Sequence, residues 1–160
     1  MVNMPKTQAL DPVVLRLDKS SFRNFAKVRS RDGDLRIFVP YTSRALTRAA
    51  LTEAAGLVKN LDAHITLFAV QIVPILLPLE RPDAAPEFLE QRLLAIAGEM
   101  EVQVDVQLIC ARELDFGIQQ VLAPNSLVVV ATKKRWWPTS ETKLARTLAR
   151  AGHDVALLEV

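Results

Sequence analysis

Three consecutive cations followed by two indoles, Lys133-Lys134-Arg135-Trp136-Trp137-Pro138, form the most chemically loaded stretch of the chain. Lysine and arginine neutralise phosphate oxygens and a tryptophan face stacks on a planar base, so the run suits an anionic or adenine-bearing ligand. The other pieces of common catalytic chemistry are missing. The five glycines, at 33, 56, 98, 117 and 152, are never closer than nineteen residues. That spacing builds neither a P-loop nor a dinucleotide fingerprint. Two histidines, His64 and His153, lie too far apart in sequence to form a recognisable metal cluster, and Cys110 is alone, which leaves no disulfide framework or thiolate zinc set. No Gly-x-Ser-x-Gly elbow occurs, so no metal, no nucleophilic triad and no enzymatic activity are expected.

The elements that position the cationic run follow from hydrophobic periodicity. Leu35 to Val39 is a short apolar run stopped by Pro40, a buried strand, and Thr42-Ser43 supplies caps for a helix with Leu46, Ala50 and Leu57 on its inner side. His64 to Val73 is a second apolar strand, followed by a loop punctuated by Pro74, Pro78 and Pro82. Asp83 and Pro86 open a helix with Leu89, Leu93 and Ile96 inward, and Val102 to Cys110 alternates apolar and polar residues, as a strand at a sheet edge does. A short helix through Phe116, Ile118, Val121 and Leu122 precedes the uninterrupted apolar strand Leu127 to Ala131. Thr139-Ser140-Glu141 starts a last helix that Gly152 closes, and Val155 to Val160 is the final strand.

Strands separated by helices require crossovers, hence a three-layer α/β/α sandwich with a five-stranded, mainly parallel sheet of order 3-2-1-4-5. Ligands of such sheets bind at the carboxyl ends of the strands where the order reverses, which singles out Pro40 to Arg44 and Thr132 to Pro138. A magnesium-dependent phosphoacceptor domain shares this plan, but Pro40-Tyr41-Thr42 and Cys110-Ala111-Arg112 offer no carboxylates at the strand ends. Half of the 160 residues are hydrophobic and a quarter charged, the mix of an ordinary globular chain. Its longest nearly apolar stretch, Ile65 to Leu79, is fifteen residues with two prolines, too short to span a bilayer, and a cytoplasmic setting is expected. Residues 1–34 hold seven Lys/Arg against four Asp/Glu and are read as a basic, partly disordered N-terminal extension able to touch an anionic surface, with residues 35–160 as the domain. The domain itself carries thirteen Lys/Arg against fourteen Asp/Glu, so no specific nucleic-acid binding is expected.

From Leu35 to Val160 the chain resembles the universal stress protein family, whose fold is adenine-nucleotide α-hydrolase-like. Ile37-Phe-Val-Pro-Tyr-Thr-Ser is similar to that family's opening strand and loop, His64-Ile-Thr-Leu-Phe-Ala-Val-Gln-Ile-Val-Pro to its second strand, and Leu127-Val-Val-Val-Ala-Thr to its fourth. The resemblance implies a ligand crevice of Pro40, Tyr41, Thr42, Val70, Ala131, Thr132, Lys133, Lys134, Trp136, Thr139 and Ser140. ATP-binding members carry an aspartate in the first loop and a glycine pattern after strand four. Here Tyr41 or Thr42 takes the place of the aspartate, Ala131 and Lys134 fall on the first two glycines, and only Thr139-Ser140 lies near the third. The resemblance therefore implies the non-ATP-binding branch: a dimeric stress-response or regulatory module without catalysis, with ATP or another adenine nucleotide weakly held or absent. Two alternatives are a sensor of a nucleotide or other anion at the crevice, and a cytoplasmic regulatory domain of a membrane transporter. A homodimer is expected through Val155 to Val160, because an apolar fifth strand left at the sheet edge needs a cover.

Overall fold

A computed structural model describes residues 14–30, 35–59, 63–76, 86–122 and 126–160. The elements alternate as expected, with one more strand and one more helix at the front: β1 (Val14–Leu17), α1 (Lys19–Ser30), β2 (Leu35–Pro40), α2 (Arg44–Val58), β3 (Ala63–Ile72), α3 (Pro86–Gly98), β4 (Val104–Ala111), α4 (Leu114–Val121), β5 (Ser126–Thr132), α5 (Ser140–Arg150) and β6 (Asp154–Glu159). All pairings are parallel, in the order β1-β6-β5-β2-β3-β4. The expected five-strand order stands for β2 to β6, and the sheet has six strands because β1 is added beyond β6.

Side chains alternate between the two sheet faces, and each face builds its own core. On one face Ile37, Val39, Ile65, Leu67, Leu127 and Val129 meet Phe22 and Ala26 of α1, Leu51 and Ala54 of α2, and Leu93 and Ile96 of α3. On the other, Phe38, Phe68, Val128, Val130, Val155 and Leu157 meet Ile118 and Val121 of α4 and Ala145 and Leu148 of α5. β5 is buried along its whole length, which its unbroken apolar sequence foretells. β4 is the edge on its side, with Asp105 and Gln107 exposed between partly buried Val104, Val106 and Leu108. Phe116 is exposed, so the inner side of α4 is narrower than the expected stripe.

The N-terminal segment corrects two expectations. Residues 14–30 are not an arm outside the domain: β1 pairs with β6 from Val14↔Val155 to Leu17↔Leu158, and Phe22 and Ala26 are fully buried. Asp18 starts α1, its Oδ1 accepting from the Ser21 N–H at 2.7 Å. That backbone hydrogen bond holds the Asp18 carboxyl below its usual pKa. Arg23 of α1 pairs with Glu53 of α2 at 3.0 Å. Lys19, Arg23 and Lys27 are thus exposed on the outer side of a packed helix. Residues 1–13 and 31–34 of the expected extension, together with Pro78, Pro82, Asp83 and Pro124, lie outside the described residues. Consequently β6 is not a free edge. The unpaired ladder on which a homodimer through Val155 to Val160 depended is already taken by β1. Among the described residues no helix is long and apolar enough to cross a membrane.

Candidate functional site

β2 and β5 are neighbours in the sheet, yet their chains leave in opposite layers, β2 into α2 and β5 into α5. A crevice opens at their carboxyl ends for that reason. Hydroxyl caps set both helix starts. The Ser43 Oγ accepts from the Leu46 N–H at 3.2 Å, and Thr139 Oγ1 accepts from the Thr142 N–H at 3.1 Å. Thr139 Oγ1 also shares hydrogen bonds with Thr132 Oγ1 at 2.9 Å and Thr142 Oγ1 at 3.0 Å, which tie the tip of β5 to the first turn of α5. On the other side, the Tyr41 N–H donates to Phe68 O at 2.8 Å and the Thr42 N–H to Thr47 Oγ1 at 3.1 Å.

Between the two helix starts lies a cavity of about 480 Å³. Ser43 and Leu46 wall it on the α2 side, Thr139, Ser140 and Glu141 on the α5 side, and Lys133, Arg135 and Trp137 reach it from the β5 loop. Arg135 stacks over the Trp137 ring at 5.4 Å, and the Trp136 ring meets Trp137 edge-on at 5.0 Å. Two helix N-termini and two cations favour an anion there. Glu141 opposes them on the same wall, its carboxylate engaged by the Ser140 hydroxyl. A small anion or a single phosphate suits that balance better than a triphosphate.

Of the eleven residues that the resemblance assigned to a crevice, Lys133, Thr139 and Ser140 line the cavity. Pro40, Ala131 and Thr132 are buried beneath it in the strands, and Tyr41 packs against the core. Thr42 is half-buried in the loop, bonded to Thr47. Lys134 and Trp136 are exposed and are not among the lining residues. Val70 lies elsewhere: it packs on the second face of the sheet against Gly117 of α4, where a Cβ would sit 2.5 Å from its Cγ1. Ser43 and Trp137 line the cavity as well and lie in the two loops that the strand ends single out, and Glu141, expected only as part of the start of α5, joins them. The cap spacing Ser43 to Leu46 was legible; its neighbourhood with Thr139, nearly a hundred residues later, was not.

The two histidines and the cysteine stand apart from this site. His64 is exposed beside a groove of about 290 Å³ with Arg36 and Asp105. His153 follows Gly152, whose φ of 95° closes α5, and burial holds its imidazole below the usual pKa against the opposing charge of Asp154. Cys110 is half-buried in β4. Among the described residues no group of three His, Cys, Asp or Glu side chains is arranged to hold a metal ion. No protein-family model matches the chain, and no curated protein matches it.

Proposed function

We propose that the protein is a non-catalytic regulatory module of the universal stress type that responds to a small anionic ligand, such as a nucleoside monophosphate, in a cytoplasmic setting. The observation that carries this reading is the cavity between the first turns of α2 and α5, with Lys133 and Arg135 on its wall and an indole beside them. Its volume falls within the range of small-molecule sites, roughly 300 to 1,000 Å³. Of the three hydroxyls that line it, Ser43 and Thr139 serve as cap acceptors and Ser140 donates to Glu141, which suits a binding role rather than a nucleophilic one. Mg-ATP is disfavoured because the loop after β2 presents Tyr41 and Thr42 in place of a carboxylate, and because the loop after β5 carries long side chains where a triphosphate needs close backbone approach.

The test is a fluorescence titration with adenosine monophosphate, beside calorimetry with Mg-ATP. The monophosphate should quench Trp137 saturably. Lys133→Ala with Arg135→Ala should abolish the quenching and leave the melting temperature unchanged, because exposed cations contribute little to folding. Saturable micromolar binding of Mg-ATP, or quenching indifferent to those two cations, would reject the proposal.

A further inference from the structure

In an all-parallel sheet every loop that follows a strand emerges at the same end. Here that end carries an unusual set of side chains. Ile75 and Leu76 after β3 are 85% and 95% exposed, and Trp136 after β5 is 90% exposed. Only β2 separates β3 from β5, so the two strands that carry these loops lie two strand spacings apart, about 10 Å. Scattered exposed apolar residues are ordinary, but several nearly naked ones gathered at one end are not. They are also held in place. Arg112 donates to the carbonyls of Val73, at 3.4 Å, and Pro74, and the Val73 N–H donates to Ala111 O at 2.8 Å, which fixes the base of the β3 loop to the tip of β4. Trp136 rests edge-on against Trp137, itself stacked under Arg135.

Charge decides between partners. Lys133, Lys134 and Arg135 are exposed immediately beside the indoles. Of the acidic residues at this end, Asp18 caps α1, Glu113 and Asp115 lie around the β4 tip, Glu159 lies opposite Thr132 and 3.9 Å from Arg16, and Glu141 shares the cavity with Lys133 and Arg135, which leaves the three consecutive cations a local excess of positive charge. Apolar tips this exposed protrude rather than line a groove, so they fit a fluid, deformable partner better than a shaped protein surface. Indoles favour the headgroup level of a bilayer, and adjacent cations are drawn to anionic lipids. We propose that the carboxyl end of the sheet is a peripheral docking face for an anionic membrane surface, with Ile75, Leu76 and Trp136 entering the interface and Lys133, Lys134 and Arg135 meeting lipid phosphates. The face shares Lys133 and Arg135 with the small-ligand cavity, whereas Lys134, Trp136, Ile75 and Leu76 do not line it, so variants at these last positions separate the two.

The experiment is co-sedimentation of the full chain with vesicles of phosphatidylcholine alone, or of phosphatidylcholine and phosphatidylserine in equal parts, with tryptophan emission read in parallel. The chain should sediment with the anionic vesicles only, at low ionic strength, with a blue-shifted emission. Lys134→Ala should weaken partitioning about fivefold, the effect of one cation near the surface. Leu76→Ser with Trp136→Ser should weaken it tenfold or more, given the apolar area withdrawn. All three positions are highly exposed, and the far-ultraviolet spectrum and melting temperature of each variant verify its folding. Equal binding to neutral vesicles, no binding to anionic ones, or partitioning unchanged in the Leu76/Trp136 variant would overturn the proposal. Displacement by soluble phosphoserine would also overturn it, since that places a headgroup in the cavity instead of a surface on the tips. So would self-association in light scattering that the same variant abolishes without any vesicle binding.

Discussion

Removing residues 1 to 30 is expected to leave a chain that aggregates instead of a trimmed, well-behaved domain. Two losses act together. Deleting β1 strips the partner from β6, whose Val155, Ala156, Leu157 and Leu158 are buried to 1% exposure or less, and bares an apolar ladder of the kind that recruits other chains. Deleting α1 removes Phe22 and Ala26, both fully buried, from the core they share with α2 and β6. A single substitution isolates the second effect: Phe22→Ala should lower the unfolding free energy by about 3 to 5 kcal/mol, the usual result of truncating a buried phenylalanine. Urea unfolding followed by circular dichroism measures it. A shortened chain that stays monodisperse and melts with the parent would show that the first thirty residues are an appendage after all.

The second large effect is expected at Gly117. Within a helix, glycine to alanine ordinarily gains about 0.5 to 1 kcal/mol, because alanine loses less backbone entropy. In α4 the opposite sign is expected. A Cβ on residue 117 would lie 2.5 Å from Val70 Cγ1 and 3.2 Å from Ala111 Cβ, so α4 must lift off β3 and β4. Val70 cannot swing aside cheaply, since a β-branched side chain is stiff at χ1. Gly117→Ala should therefore cost about 1 to 3 kcal/mol, the range for overpacking a close contact. The companion variant settles the cause: Val70→Ala alone should be mildly destabilising, while the double variant should recover most of the loss. Additive losses in that cycle would mean that the contact is not what makes residue 117 a glycine.

Much of this architecture is legible in the sequence. β2, β3 and β5 are apolar runs bounded by proline or loop residues, and β4 alternates as an edge strand must. Pro86 opens α3, the hydroxyls of Ser43 and Thr139 open α2 and α5, and Gly152 closes α5 in a left-handed turn. Each of these signals is local, carried by residues within one or two turns of one another. β1 escapes the sequence because four residues, Val14 to Leu17, give too little periodicity, and because its ladder partner among the described residues lies some 140 residues later. α1 carries a usable signal, Asp18 as cap with Phe22 and Ala26 four apart, but the charges around it read as a basic extension.

The sequence by itself determined the alternating strand and helix order, the caps, the absence of a glycine cradle, and the cations and indoles that crown β5. Only the tertiary structure decided that β1 closes the edge beside β6, that Val70 serves α4 and not the crevice, and that Ser43 meets Lys133, Arg135 and Thr139 around one cavity. It alone showed that Ile75, Leu76 and Trp136 stand almost fully exposed at their shared end. The physical reason is range: periodicity and capping are written between near neighbours in the chain, whereas an edge partner, a packing contact or a cavity wall is a choice among distant segments, settled when the sheet assembles and its apolar faces are buried together.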